Sequence, residues 1–125
     1  MKIESYKALE AYKRSFELVK QVYRLTKNFP KDEIYGIVSQ LRRASISIPA
    51  NIAEGYVRGS KEYLQFLRIA LGSSAEVETL LALSKELSFG KLEEIFVADS
   101  LNIEVTKLLR CYIKRLSEKI AISKQ

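Results

Sequence analysis

Four stretches of this chain repeat apolar residues at steps of three and four, and each ends at a proline or glycine signal or at the chain end. That period belongs to an amphipathic helix with one face turned to a core. No stretch alternates convincingly at the period of two that a strand requires.

The first stretch, 6–28, carries Leu9, Tyr12, Phe16, Val19 and Tyr23. It stops at Phe29-Pro30, because the residue before proline avoids helical angles. The second, 31–57, has Asp32 and Glu33 in its first turn, where the macrodipole favours negative charge. Ile34, Val38, Leu41, Ser45, Ile48, Ile52 and Tyr56 form its main stripe. Gly59-Ser60 breaks it, with Ser60 as the expected N-cap of the third, 60–88. Tyr63, Phe66, Leu67, Ala70, Leu71, Val77, Leu80, Leu81 and Leu87 supply that helix's apolar surface, and Gly90 is its expected stop signal. The fourth, 91–120, presents Leu92, Ile95, Leu101, Val105, Leu108, Tyr112, Leu116 and Ile120.

Four such helices joined by short turns pack most simply as an antiparallel up-down-up-down four-helix bundle. The predicted class is therefore all-α. At 125 residues, 47% of them hydrophobic, the chain can bury one core, and no linker interrupts it. A single domain, 1–125, is expected.

Composition narrows function by exclusion. There is no histidine, so common catalytic triads, most zinc sites and the Glu-x-x-His di-iron pairs of bundles are ruled out. No two of the remaining acid–base groups stand out as a pair, and the expected protein is not an enzyme and holds no metal or cofactor. A single cysteine, Cys111, rules out an intrachain disulfide and suits a reducing compartment. It is expected to behave as a small buried hydrophobe. With no signal-like start and no membrane-length apolar run, a cytoplasmic protein is expected.

Net charge is +6, from 21 Lys and Arg against 15 Asp and Glu. Up-down topology collects the start of helix 1, the helix 2–3 turn and the end of helix 4 at one end. That end holds Lys2, Lys7, Lys13, Arg14, Arg58, Lys61, Arg110, Lys114, Arg115, Lys119 and Lys124, against Glu4, Glu10, Glu54, Glu62 and Glu118. Clustered cations attract phosphate and release counterions on binding. Tyr6, Tyr12, Tyr56 and Tyr63 lie toward the same end, where they would either stack on unpaired bases or fill the core.

The second helix also carries a polar row: Gln40, Arg43, Ser47, Asn51, Glu54 and Arg58, around an internal Pro49. A mid-helix proline removes a backbone hydrogen bond and costs about 3 kcal/mol. The third helix answers with Gln65, Arg68, Ser73, Ser74 and Glu76, and Gly72 would permit close backbone approach. One reading is a satisfied packing network, in which Arg43 pairs with Glu54 or Glu76 and Asn51 or Ser47 bonds a carbonyl freed by Pro49. The other is an anion site around Arg43 and Asn51. Packing networks are far commoner, so the structural reading is favoured.

Two further apolar rows exceed what one core stripe needs: Ile46, Ala50, Ala53 and Val57 in the second helix, and Phe96, Ile103, Leu109 and Ile113 in the fourth. They would serve either a wide core face or, as the favoured reading, contact between subunits.

The segments FPKDEIYGIVSQLRRASISIPANIAEG and GSKEYLQFLRIALGSSAEVETLL place proline, asparagine and glycine at fixed points within helical pattern. In these the chain resembles the bacterial four-helix-bundle proteins encoded within 23S rRNA intervening sequences. The accessory protein of diversity-generating retroelements looks like a relative of that family. The resemblance implies a homopentameric barrel, a basic surface that binds RNA or DNA, and no enzymatic activity. Candidate nucleic-acid contacts are Arg42, Arg43, Arg58, Lys61, Arg68, Lys114 and Arg115, of which Arg42, Arg58 and Lys61 are expected to face solvent. Pro49, Asn51, Glu54, Gly55, Gly72 and Glu76 are read as structural. The rival to RNA binding is a protein-interaction scaffold, for instance one holding a retroelement reverse transcriptase.

Overall fold

The computed structural model describes residues 6–123, with the side chains of residues 6, 7 and 60 left aside. The expectations placed on Lys2, Glu4, Lys124 and the side chains of Tyr6, Lys7 and Ser60 lie outside the described residues. Four α-helices follow in order: α1 (Tyr6–Thr26), α2 (Ile37–Arg58), α3 (Ser60–Glu86) and α4 (Leu92–Ser123), with a 3-10 turn at Lys31–Glu33. No strand occurs among the described residues. Contacts run α1–α2, α2–α3, α3–α4 and α4–α1, with none across the diagonals. This is a square four-helix bundle in which the α1/α2 layer backs onto the α3/α4 layer. The upper end holds the α1–α2 and α3–α4 connections. The lower end holds the α2–α3 turn.

Helix boundaries depart from expectation where local chemistry overrides periodicity. Thr26 is the last residue of α1, two residues early, and its hydroxyl donates to the Val22 carbonyl at 2.8 Å. The start of α2 is at Ile37, not 31, because Lys31–Glu33 closes as a 3-10 turn and Gly36 is the non-helical cap. For α3 the cap position falls to Gly59, not Ser60. Its φ of +106° is one that a side chain would strain, so glycine suits it. The left-handed stop after α3 is Ser88 (φ +59°), ahead of the predicted Gly90. Its amide donates to the Lys85 carbonyl at 3.1 Å, and that of Phe89 to the Ser84 carbonyl at 2.8 Å, which makes a Schellman cap. The fourth helix runs 92–123, starting one residue later and ending three residues later than expected.

Within α1 the core face is not the predicted stripe. Ala8, Ala11, Ser15, Leu18, Val22 and Leu25 are buried, whereas Phe16 and Tyr23 are exposed and Leu9, Tyr12 and Val19 half-buried. The aromatic row therefore lies one residue off the core. Small residues let the helix seat closely, and Ser15 is satisfied inside by the Tyr12 carbonyl at 2.6 Å. In α2 the core is as expected for Val38, Leu41, Ser45, Ile48 and Ile52, while Ile34 precedes the helix and is exposed. Leu87 and Leu92, predicted as stripe residues, are exposed at the upper end. Leu109, read as part of a surplus row, is fully buried in the core. Phe96 and Ile103 of that row are exposed, as are Ile46, Ala50 and Val57 of the row on α2. Cys111 is half-buried rather than enclosed.

Candidate nucleic-acid interface

The helix 2 polar row resolves into short-range contacts. Asn51 Nδ2 donates to both the carbonyl and the hydroxyl of Ser47 at 2.8 Å, and Ser73 Oγ of α3 donates to Ser47 Oγ at 2.9 Å. A Pro49 amide would have met the carbonyl of Ser45, so Asn51 serves a different carbonyl from the one the proline frees. Arg43 is exposed and pairs with neither Glu54 nor Glu76, because Glu54 is taken by Arg58 at 3.1 Å on the same helix. Glu76 is exposed. No close approach is made at Gly72, where a Cβ would meet nothing within 4 Å. The close approach belongs to Gly55, where a Cβ would lie 2.6 Å from Phe66 Cβ and 3.2 Å from Tyr63 Cα. A glycine one turn before the end of α2 thus lets α3 fold back tightly. Ser47, Asn51 and Ser73 are joined as in a packing seam, whereas Gln40 and Arg43 of the same row are exposed outside it.

The seven candidate cations do not form one group. Arg42 is half-buried rather than solvent-facing: its Nε donates to Thr26 Oγ1 at 3.0 Å, and its guanidinium lies 4.4 Å above the Tyr23 ring. It ties α2 to α1. Arg43 is its neighbour near the upper end, 15 residues before Arg58, about 22 Å along the axis at 1.5 Å per residue. By contrast Arg58, Lys61, Lys114 and Arg115 converge on the lower end, with Arg68 two turns above Lys61. All five are exposed. Arg58 is partly engaged, by Glu54 and by Phe66, whose ring lies 5.0 Å from its guanidinium.

Periodicity extends this group. Lys107, Arg110 and Lys114 recur on one exposed side of α4, and Lys61 and Arg68 stand a heptad apart on α3. Lys107 is not marked out by linear position, because it lies a turn above the cluster. Its spacing to Lys114 is the signal that finds it. None of Lys61, Arg68, Lys107, Arg110, Lys114 and Arg115 makes an ion pair among the described residues; the ion pairs there are Arg14–Glu104, Lys20–Glu17 and Arg58–Glu54. Their charge faces water, and the field at this end is positive.

The tyrosines do not offer a stacking platform. Tyr63 is buried, and its ring packs 6.0 Å from Tyr56 and 5.6 Å from Tyr112. Tyr12 leans on Phe16 with centroids 4.9 Å apart. They close the lower core beneath the cations. Sequence periodicity gives no sign of a polar cluster between α3 and α4. Ser74 Oγ donates to Asn102 Oδ1 at 2.8 Å, Asn102 Nδ2 donates to the Ser74 carbonyl at 3.0 Å, and Thr106 shares the Ser74 hydroxyl at 2.7 Å. Asn102 is 1% exposed, so this cluster is internal. No group of three or more metal-ligating side chains gathers among the described residues. No helix there is long and apolar enough to cross a membrane.

Comparison with known proteins agrees with this architecture. A crystal structure of a protein of unknown function from the S23 ribosomal protein family of Bacteroides thetaiotaomicron superposes with a TM-score of 0.78 at 25% identity. The match covers 86% of this chain and 98% of that one. No curated protein matches. The family model for the 23S rRNA-intervening sequence protein matches residues 7–111, a span that takes in the Pro49–Gly55 seam and most of all four helices. The chain belongs to the 23S rRNA-intervening sequence protein family.

Proposed function

We propose that this is a non-enzymatic, self-associating cytoplasmic protein that binds structured RNA through its cationic lower end. The observation that carries the reading is the cluster of exposed, unpaired Lys61, Arg68, Lys107, Arg110, Lys114 and Arg115. The family's association with a ribosomal RNA insertion makes RNA the first nucleic acid to test. With Tyr63 buried and Tyr56 and Tyr112 packed half-buried against it, this end offers no aromatic platform for bases, so contact is to phosphates and shape.

Titration with RNA at two salt concentrations tests it. Contact with some five phosphates gives a log–log slope near −3.5 for single strands, or about −4.5 for B-DNA. The double variant Lys114→Glu/Arg115→Glu is expected to weaken binding and to flatten that slope by about 0.7 (single strands) to 0.9 (B-DNA) for each phosphate it no longer neutralises. A flat salt response in the parent, or unchanged affinity in the variant, overturns the reading. The exposed apolar rows favour a second reading, a scaffold for a protein partner. Copurification of one partner that survives nuclease would support it.

A further inference from the structure

Below the upper end, α3 and α4 part into a groove of about 540 Å³. Its register follows from the pin beneath it. Ser74 bonds both Asn102 and Thr106, so each step up α3 is matched by one step back along α4. Glu78 then stands level with Asp99, Ala82 with Phe96 and Lys85 with Leu92, and all six line the groove. Leu81 and Ile95, both buried, form the floor. Ala82 puts only a methyl on the rung of Phe96, which leaves room between the walls, and Leu92 (65% exposed) and Phe96 (71% exposed) stay uncovered. The charged groups sit at the two mouths: the Glu78 and Asp99 carboxylates below, the Lys85 ammonium above. None of the three belongs to an ion pair among the described residues.

We infer that this groove binds a small organic cation with an apolar body. Its ammonium or guanidinium sits between Glu78 and Asp99, and its body lies along Ala82, Leu92 and Phe96. Volume, length and charge each select that occupant. Small-ligand sites measure about 300–1,000 Å³, are mostly apolar with a few convergent polar groups, and often lie between bundle helices. From Glu78 to Lys85 the groove runs two helical turns, about 10.5 Å at 1.5 Å per residue. A stable protein partner needs about 800 Å² on each side, far more than so short a groove supplies. Charge settles the sign. Two carboxylates on one rung repel each other, and a cation between them removes the repulsion and donates charge-assisted hydrogen bonds to both. The positive lower end does not cancel this. Arg68 lies ten residues below Glu78 and Arg110 eleven below Asp99, about 15–16 Å along the axis and so about twice the Debye length at physiological salt. Lys85, at the other mouth, orients the ligand, since its ammonium repels a cation entering the wrong way round. The site is separate from the cationic end and does not depend on RNA binding.

Fluorescence titration with dansylcadaverine, an apolar fluorophore carrying an alkyl primary amine, is the test. Saturable binding at one probe per chain is expected, with a Kd on the order of 10 µM for a molecule of this size. The N-acetylated probe keeps the apolar body and loses the charge, and is expected to bind about tenfold more weakly. Glu78→Gln/Asp99→Asn is expected to weaken the charged probe by about the same factor and to leave the acetylated one unchanged. Ala82→Trp, which fills the space opposite Phe96, is expected to abolish binding of both. Should that variant lose helical circular dichroism, the carboxylate variant and the acetylated probe decide the matter without it. Absence of saturable binding to the parent, equal affinity for the two probes, or an unchanged Kd in Glu78→Gln/Asp99→Asn overturns the inference.

Discussion

The two seams of α3 are built in opposite ways. Toward α2 the helices close on Gly55, with Phe66 and Tyr63 where a side chain would be, and the polar contact there is local and half-buried: Asn51, Ser47, Ser73. Toward α4 the helices are pinned at mid-length by Ser74, Asn102 and Thr106, and then diverge into the groove above. Ser73 and Ser74 are neighbours in sequence, yet each serves a different seam. A tight seam is made by removing a side chain. A loose one is held by a buried amide that must find partners, because an unsatisfied one is costly.

Three substitutions separate these designs. Gly55→Val, which forces β-branched bulk against Phe66 Cβ and Tyr63 Cα, is expected to destabilise by more than about 3 kcal/mol, read as a large drop in the urea midpoint. A loss under about 1 kcal/mol would mean that the α2–α3 seam gives way as easily as the other. Asn102→Ala takes away the acceptor of the buried Ser74 hydroxyl and leaves space behind it. Equilibrium unfolding should show a loss of about 2–3 kcal/mol. If the loss were instead within a few tenths, the α3–α4 seam would be held by its apolar residues alone. Smallest is Ala82→Leu, on the groove wall, where room exists: a change within about 0.5 kcal/mol is expected. A cost near that of Gly55→Val would show the groove to be closed in solution.

Much of the architecture is legible in the sequence because helical period, Pro30 and Gly59 act locally. Leu41, Ile48 and Ile52 of α2 follow that period straight into the core. In α1 the period is right and the phase wrong, since Phe16 and Tyr23 outweigh Ala11 and Ser15 in hydrophobicity. Which of two adjacent rows turns inward depends on how closely the neighbouring helices approach, and that is a tertiary quantity. Asn102 is hidden for a related reason. Its partner Ser74 lies 28 residues away, and nothing near it in sequence marks an amide for burial. Within the candidate site, antiparallel topology correctly gathers Arg58, Lys61, Lys114 and Arg115 at one end. The setting of Arg42 is not legible locally, because Thr26 and Tyr23, which hold it, belong to another helix.

The square order of contacts also bears on how the chain reaches this state. Three seams join helices that follow one another through short turns, but the α1–α4 seam joins the two outer helices, through Arg14 to Glu104 and Gln21 to the Glu94 carbonyl, 73 residues away. Closing so long a loop carries the largest entropic cost of the four. Neighbouring helices can therefore form hairpins early, with α2–α3 seeded by its one-residue turn, and the docking of α1 on α4 completes the molecule. Opening should run in reverse, starting from the same seam, with the two outer helices each still held by one neighbour.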